Sequence, residues 1–111
     1  MRALGVAAGW ALVLAIVWGS LTPSPPKIDV AHADKFEHLF AYGALMFWFA
    51  WLYRAPRTRL AYAVLWIALG VGLEFAQRAT GYRDFEIADM VADALGVLLG
   101  LALSVTVTLR R

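Results

Sequence analysis

The chain has 111 residues, 62% apolar and 16% charged, with ten basic and eight acidic side chains and no cysteine. Its length holds one domain, and its apolar share, above the roughly 45–50% of soluble domains, excludes an ordinary soluble protein. The basic residues form no stripe interleaved with aromatics, which excludes a nucleic-acid binder, and the lack of cysteine excludes a disulfide framework or a thiolate metal site.

In chain order, the uncharged runs are Ala3–Leu21, Leu39–Tyr53, Leu60–Leu73 and Ala94–Leu109, of 19, 15, 14 and 16 residues. A helix that spans a bilayer needs roughly 20 residues, because it rises about 1.5 Å per residue through about 30 Å of hydrocarbon. Only the first run suffices alone. The others reach that length by absorbing polar ends, namely Phe36–His38, Glu74–Gln77 and Ile87–Asp93. Backbone in lipid must be hydrogen-bonded internally, so the helical ladder is expected to run on through those residues. The expected fold is all-α, an integral membrane bundle of four transmembrane helices in one domain, with spans of about 3–21, 36–53, 60–77 and 87–109.

The connections differ in character. Thr22–Ala33 carries Pro23, Pro25 and Pro26 and reads as extended. Arg54–Arg59 reads as a tight turn around Pro56, and Arg78–Glu86 as a charged loop containing Gly81. A rival reading makes the first span a cleaved signal peptide ending at Ala31-His32-Ala33. That apolar run is longer than the usual 7–15 residues and the motif lies well beyond it, so an uncleaved span is preferred.

These connections sort the charges. Arg2, Arg54, Arg57, Arg59, Arg110 and Arg111 fall at one surface with no acid among them. All eight acids, both histidines, Lys27, Lys35, Arg78 and Arg83 fall at or near the other. Cytoplasmic loops are enriched in Lys and Arg, so both termini are expected in the cytoplasm of a multi-pass inner or plasma membrane protein. Trp48, Trp51 and Tyr53 suit an aromatic belt at the arginine side.

Helical spacing predicts which polar residues meet, because positions four apart share a face. Asp34, His38 and Tyr42 step down one face of the second span, and Glu74 has Gln77 and Arg78 as neighbours on the third. On the fourth, Asp89, Asp93, Gly96 and Gly100 lie within about 60° of arc. Gly96 and Gly100 suit close helix packing, as do Gly5 and Gly9. A stripe packed inward would carry Asp89 and Asp93 toward His38, Tyr42, Glu74 and Arg78 or Arg83. Simpler roles compete: Asp34 as a helix cap with Glu37 at the capping-box position, Glu74 and Arg78 as an interfacial pair. Lys35, Glu37, Asp84 and Glu86 can also be read as solvated boundary residues. Asp93 is the hardest to dismiss in that way, since a carboxylate at its depth must be paired, hydrated or protonated, and the competing role there is a hydrogen bond that joins helices.

Three blocks resemble the VanZ-like membrane proteins, whose founding member is an accessory glycopeptide (teicoplanin) resistance protein. They are Asp34-Lys35-x-x-His38-x-x-x-Tyr42, Glu74-x-x-Gln77, and Arg83-x-x-x-x-x-Asp89-x-x-x-Asp93-x-x-Gly96-x-x-x-Gly100, within residues 34–100. Members commonly carry asparagine where this chain has Asp93. The resemblance implies a cell-envelope protein linked to resistance against antibiotics that act outside the membrane.

The favoured function is non-enzymatic. Asp34, Lys35, His38, Tyr42, Glu74, Gln77, Arg78, Arg83, Asp89 and Asp93 would form a polar cluster for the head group of an envelope lipid or lipid-linked cell-wall precursor, with cationic Lys35, Arg78 and Arg83 suited to phosphate. The bilayer itself is the expected partner, a homo-oligomer is compatible with so small a bundle, and no cofactor or resident metal is assigned. Two alternatives stand beside it. One is a membrane enzyme acting on an envelope lipid, metal-dependent or using His38 as acid or base, although no diagnostic catalytic motif is present. The other is a small ion or proton transporter.

Overall fold

A computed structural model describes residues 2–23, 33–82 and 86–109, with residues 33 and 34 described by backbone alone. The proline-rich connection lies largely outside the described residues. Four helices form: α1 (Arg2–Leu21), α2 (Ala33–Leu52), α3 (Pro56–Thr80) and α4 (Ile87–Leu109). Each expected polar end joins its helix. α2 begins before Phe36, α3 runs past Gln77, and α4 includes Asp89 and Asp93.

By length and apolar composition, α1, α3 and α4 are each able to cross a membrane. α2 has 20 residues, enough for about 30 Å, but Lys35, Glu37 and His38 dilute its first turns. It nevertheless touches all three others, as α3 also does, and its contact with α4 is the most extensive in the bundle; Leu45, Met46, Phe49 and Ala50 are completely buried. Protein surrounds that face, so α2 depends less on its own apolarity. Phe36, Phe40, Trp48 and Trp51 are exposed, Trp48 while resting on α1. The long dimension of the molecule is 45 Å, which matches a bilayer with its head-group layers, about 40–45 Å.

Contacts at the two ends set the topology. Gln77 of α3 meets Ser20 of α1, Trp48 of α2 meets Gly5 of α1, and Arg59 of α3 meets Thr108 of α4. The helices therefore alternate up and down, with α2 and α4 parallel. α1 is the most peripheral, burying only Gly9 and Val13. It docks where Gly9 leaves room for Phe49 and where the Trp10 ring stands edge-on to Phe49 and Trp66, each at 5.6 Å between centroids.

The closest approach is between α2 and α4. Gly96 lies against the Leu39 carbonyl and the Gly43 amide, and Gly100 against the Gly43 carbonyl and the Met46 side chain. The glycine stripe of α4 thus packs inward as expected, and its counterpart is Gly43. Where hydrocarbon surrounds the helices, such close contact is a main source of association.

The turn before α3 differs from the expected one. Pro56 is accepted at the start of a helix, where its missing N–H has no intrahelical partner. α3 therefore starts there, and the turn shrinks to Tyr53–Ala55. Arg59, expected at the surface, enters the first helical turn and is 6% exposed. Its Nε donates to the Ala50 and Tyr53 carbonyls, at 2.9 and 3.1 Å, and Nη2 donates to Thr108 Oγ1 at 3.0 Å. The guanidinium thereby serves carbonyls that the end of α2 leaves without intrahelical partners.

Gly100→Ala should destabilise the fold. Its Cβ would collide with α2 backbone, which cannot swing away as a side chain can. The overpacking cost of about 1–3 kcal/mol exceeds the helix-propensity gain of about 1 kcal/mol. Gly72 faces open space, so Gly72→Ala should be neutral or stabilising by up to about 1 kcal/mol. Thermal unfolding in detergent distinguishes them; equal shifts would remove the close approach as the determinant.

Candidate functional site: a polar cluster at one end of the bundle

The α2–α4 contact delivers the polar half of the α4 stripe to its neighbours. Asp93 is 2% exposed, and its Oδ1 lies 2.7 Å from His38 Nδ1 on α2. Its other oxygen lies over Gly70 of α3, where a Cβ would come within 2.7 Å of Oδ2. Gly70 is thus the space the carboxylate occupies. When the carboxylate accepts from Nδ1–H, the neutral imidazole is fixed in the tautomer that leaves Nε2 as acceptor.

One turn toward the end of the bundle, Asp89 Oδ1 lies 2.9 Å from Lys35 Nζ. The same ammonium pairs with the Glu86 carboxylate. Glu74, buried on α3, accepts the Glu86 backbone N–H on Oε1 at 2.6 Å. Three helices and the end of the last loop therefore meet through two linked sets of contacts. Both Asp89 and Glu74 lie within electrostatic reach of His38. Four carboxylates face Lys35 and His38, so the described part of the cluster is acidic. Exposure is graded along it: the Glu86, Lys35 and His38 side chains are partly open, whereas those of Asp89 and Asp93 are closed over.

Of the residues expected in the cluster, Lys35, His38, Glu74, Asp89 and Asp93 are brought together. Tyr42 lies one turn below His38, in the core and within electrostatic reach of Asp93 and Glu74. The Asp34 side chain and Arg83 lie outside the described residues. Gln77 has a different task from the one expected. Its Nε2 donates to the Ser20 carbonyl at 2.8 Å, while the Tyr82 hydroxyl donates to the Leu21 carbonyl at 2.6 Å. Both serve the carbonyl end of α1, which an isolated helix leaves unsatisfied. Arg78 is exposed on α3.

Two expectations about charge change. Lys35 and Glu86 are not merely solvated boundary residues, because each holds the other across the mouth of the cluster. The positive charge of Lys35 is also answered by two carboxylates, which weakens the case for phosphate at this end. Sequence reasoning missed Glu86, whose place depends on how the loop returns to α4. It also missed Gly70, although a glycine four residues before Glu74 on the same helical face was a readable signal.

Gly70→Ala should displace Asp93 and lower stability by about 1–3 kcal/mol, the usual cost of inserting a methyl group into filled space. Asp93→Asn should be tolerated, because the amide oxygen can accept from His38 Nδ1–H in the same volume. Unfolding temperatures and activity at matched expression test both. Loss of function in Asp93→Asn, with expression unchanged, would show that ionisation is required.

Comparison with known proteins finds an uncharacterized protein of Schizosaccharomyces pombe that is 35% identical over 89 residues, or 78% of this chain and 55% of the relative. The chain spans about half the length of that relative. No family model matches the chain, and no solved structure matches it.

Proposed function

We propose that this is a VanZ-like envelope protein with both termini in the cytoplasm and the acidic end of the bundle outside. There it holds the polar head of an envelope lipid or lipid-linked cell-wall precursor, and so contributes to glycopeptide (teicoplanin) resistance. The observation that carries this reading is the graded cluster. Lys35, His38 and Glu86 form a partly open mouth, and Glu74, Asp89 and Asp93 form a closed floor.

The excess of carboxylates favours a head group that presents N–H or O–H donors, such as an amine or a sugar, over a bare phosphate. Charge-assisted hydrogen bonds from such donors are stronger than neutral ones. The outward face of the bundle is apolar below the cluster, with Leu95, Leu98 and Leu99 exposed on α4. Acyl or isoprenoid chains can lie along that surface while the head group is held above it. The excess of arginine at the opposite end supports the orientation.

A second reading rests on the His38–Asp93 pair. A buried carboxylate that orients an imidazole also equips Nε2 to move a proton, which is how a general base is commonly built. Among the described residues, which leave out the Asp34 side chain, no three His, Asp or Glu side chains converge closely enough to hold a metal ion; the pair itself supports acid–base chemistry at His38.

Lipids co-purified with the wild-type protein, identified by mass spectrometry, should be enriched in one amine- or hydroxyl-bearing head-group class. Asp89→Ala should abolish that enrichment. Cells expressing the wild type should be less susceptible to teicoplanin than cells expressing Asp89→Ala at equal levels. Identical lipid profiles would eliminate head-group binding, and identical susceptibility with and without the wild-type protein would eliminate the resistance role.

A further inference from the structure

The arginine end of the bundle carries a charge imbalance that the acidic cluster does not answer. No acid occurs between Glu37 and Glu74 or after Asp93. Into this region the fold gathers Arg2 from α1, Arg54 from the turn, and Arg57 and Arg59 from the first turn of α3. The Arg2 guanidinium stands 4.4 Å above the Tyr53 ring, next in sequence to Arg54. Arg59 is buried close enough to Arg54 for their charges to interact. Among the described residues, the groups it binds are two carbonyls and a hydroxyl, none of which carries a negative charge.

Two physical rules make this arrangement costly by itself. Cations are disfavoured at a helix N-terminus, where the macrodipole is positive, and the first turn of α3 contains no acid to offset them. Buried charges are ordinarily paired with opposite charges. Arg59 is held by carbonyls, and Arg54 and Arg57 are exposed at the same surface. An external anion would relieve both penalties.

The surroundings identify its carrier. Trp48 and Trp51 are 38% and 41% exposed at this end, where amphipathic rings sit at head-group level in a membrane. Leu4, Leu60 and Leu109 are exposed at the same end. An anion bound there lies where apolar surface meets polar surface, which is the position of a phospholipid phosphate.

We infer that Arg54 and Arg57, with Arg2, form a head-group site for the phosphate diester of an anionic phospholipid at the end of the bundle opposite the acidic cluster. Arg59 is the positioning residue. By tying Ala50, Tyr53 and Thr108 together, it fixes the short turn that carries Arg54 to the start of α3, where Arg57 lies. Guanidinium groups suit the site because they bind phosphate through paired hydrogen bonds.

The test is native mass spectrometry of the full chain in neutral detergent, titrated separately with phosphatidylglycerol, phosphatidylcholine and inorganic phosphate. Phosphatidylglycerol should bind more tightly than phosphatidylcholine. The double variant Arg54→Gln/Arg57→Gln should lose about thirty-fold in phosphatidylglycerol affinity, the loss expected from two basic residues at a membrane surface. Both residues are exposed, and circular dichroism checks that the variant remains helical. Equal binding of the two lipids, or undiminished phosphatidylglycerol binding by the folded double variant, would overturn the site. Inorganic phosphate binding as tightly as the lipid would overturn the phospholipid as its occupant.

Discussion

The close contact between α2 and α4 governs what the rest of the molecule can do. Gly43 faces Gly96 and Gly100, and the two backbones meet without intervening side chains. Helix association in lipid lacks the hydrophobic drive available in water, so close packing and polar contacts must supply it. The parallel arrangement then gives this contact a second consequence. It brings the first turns of α2 and α4 side by side, so that His38 meets Asp93 and Lys35 meets Asp89. The glycines and the acids belong to one helical stripe, and seating the glycines seats the acids.

Burying those acids must be compensated. Asp93 meets His38 on one side and occupies the space left by Gly70 on the other. Glu74 receives a backbone N–H from Glu86, whose side chain returns to Lys35. In a low-dielectric interior an unpaired polar group is costly and a satisfied network is rigid. The network therefore joins α2, α3 and the start of α4 at one end, as Arg59 joins α2, α3 and the end of α4 at the other. Both junctions use polar groups where lipid offers none. α1 depends instead on Gln77, Tyr82 and aromatic packing around Trp10.

The proposed occupant of the acidic cluster, a head group bearing hydroxyl or amine donors, is a chemistry that many membranes share. The two ends of the bundle are chemically distinct, one gathering carboxylates and the other arginines.

Much of this architecture was legible in the chain because membranes impose simple rules. Long apolar runs and the need for internal backbone hydrogen bonds determined the four helices, including their continuation through Phe36–His38 and Glu74–Gln77. Helical periodicity alone determined that Asp89, Asp93, Gly96 and Gly100 share a face. Tertiary structure decided which face met which. Only packing paired Gly43 with the α4 stripe, placed Gly70 beneath Asp93, drew Gln77 toward α1 and turned Arg59 inward. These outcomes depend on the relative rotation and offset of separate helices, quantities that local spacing leaves undetermined because it describes one helix at a time.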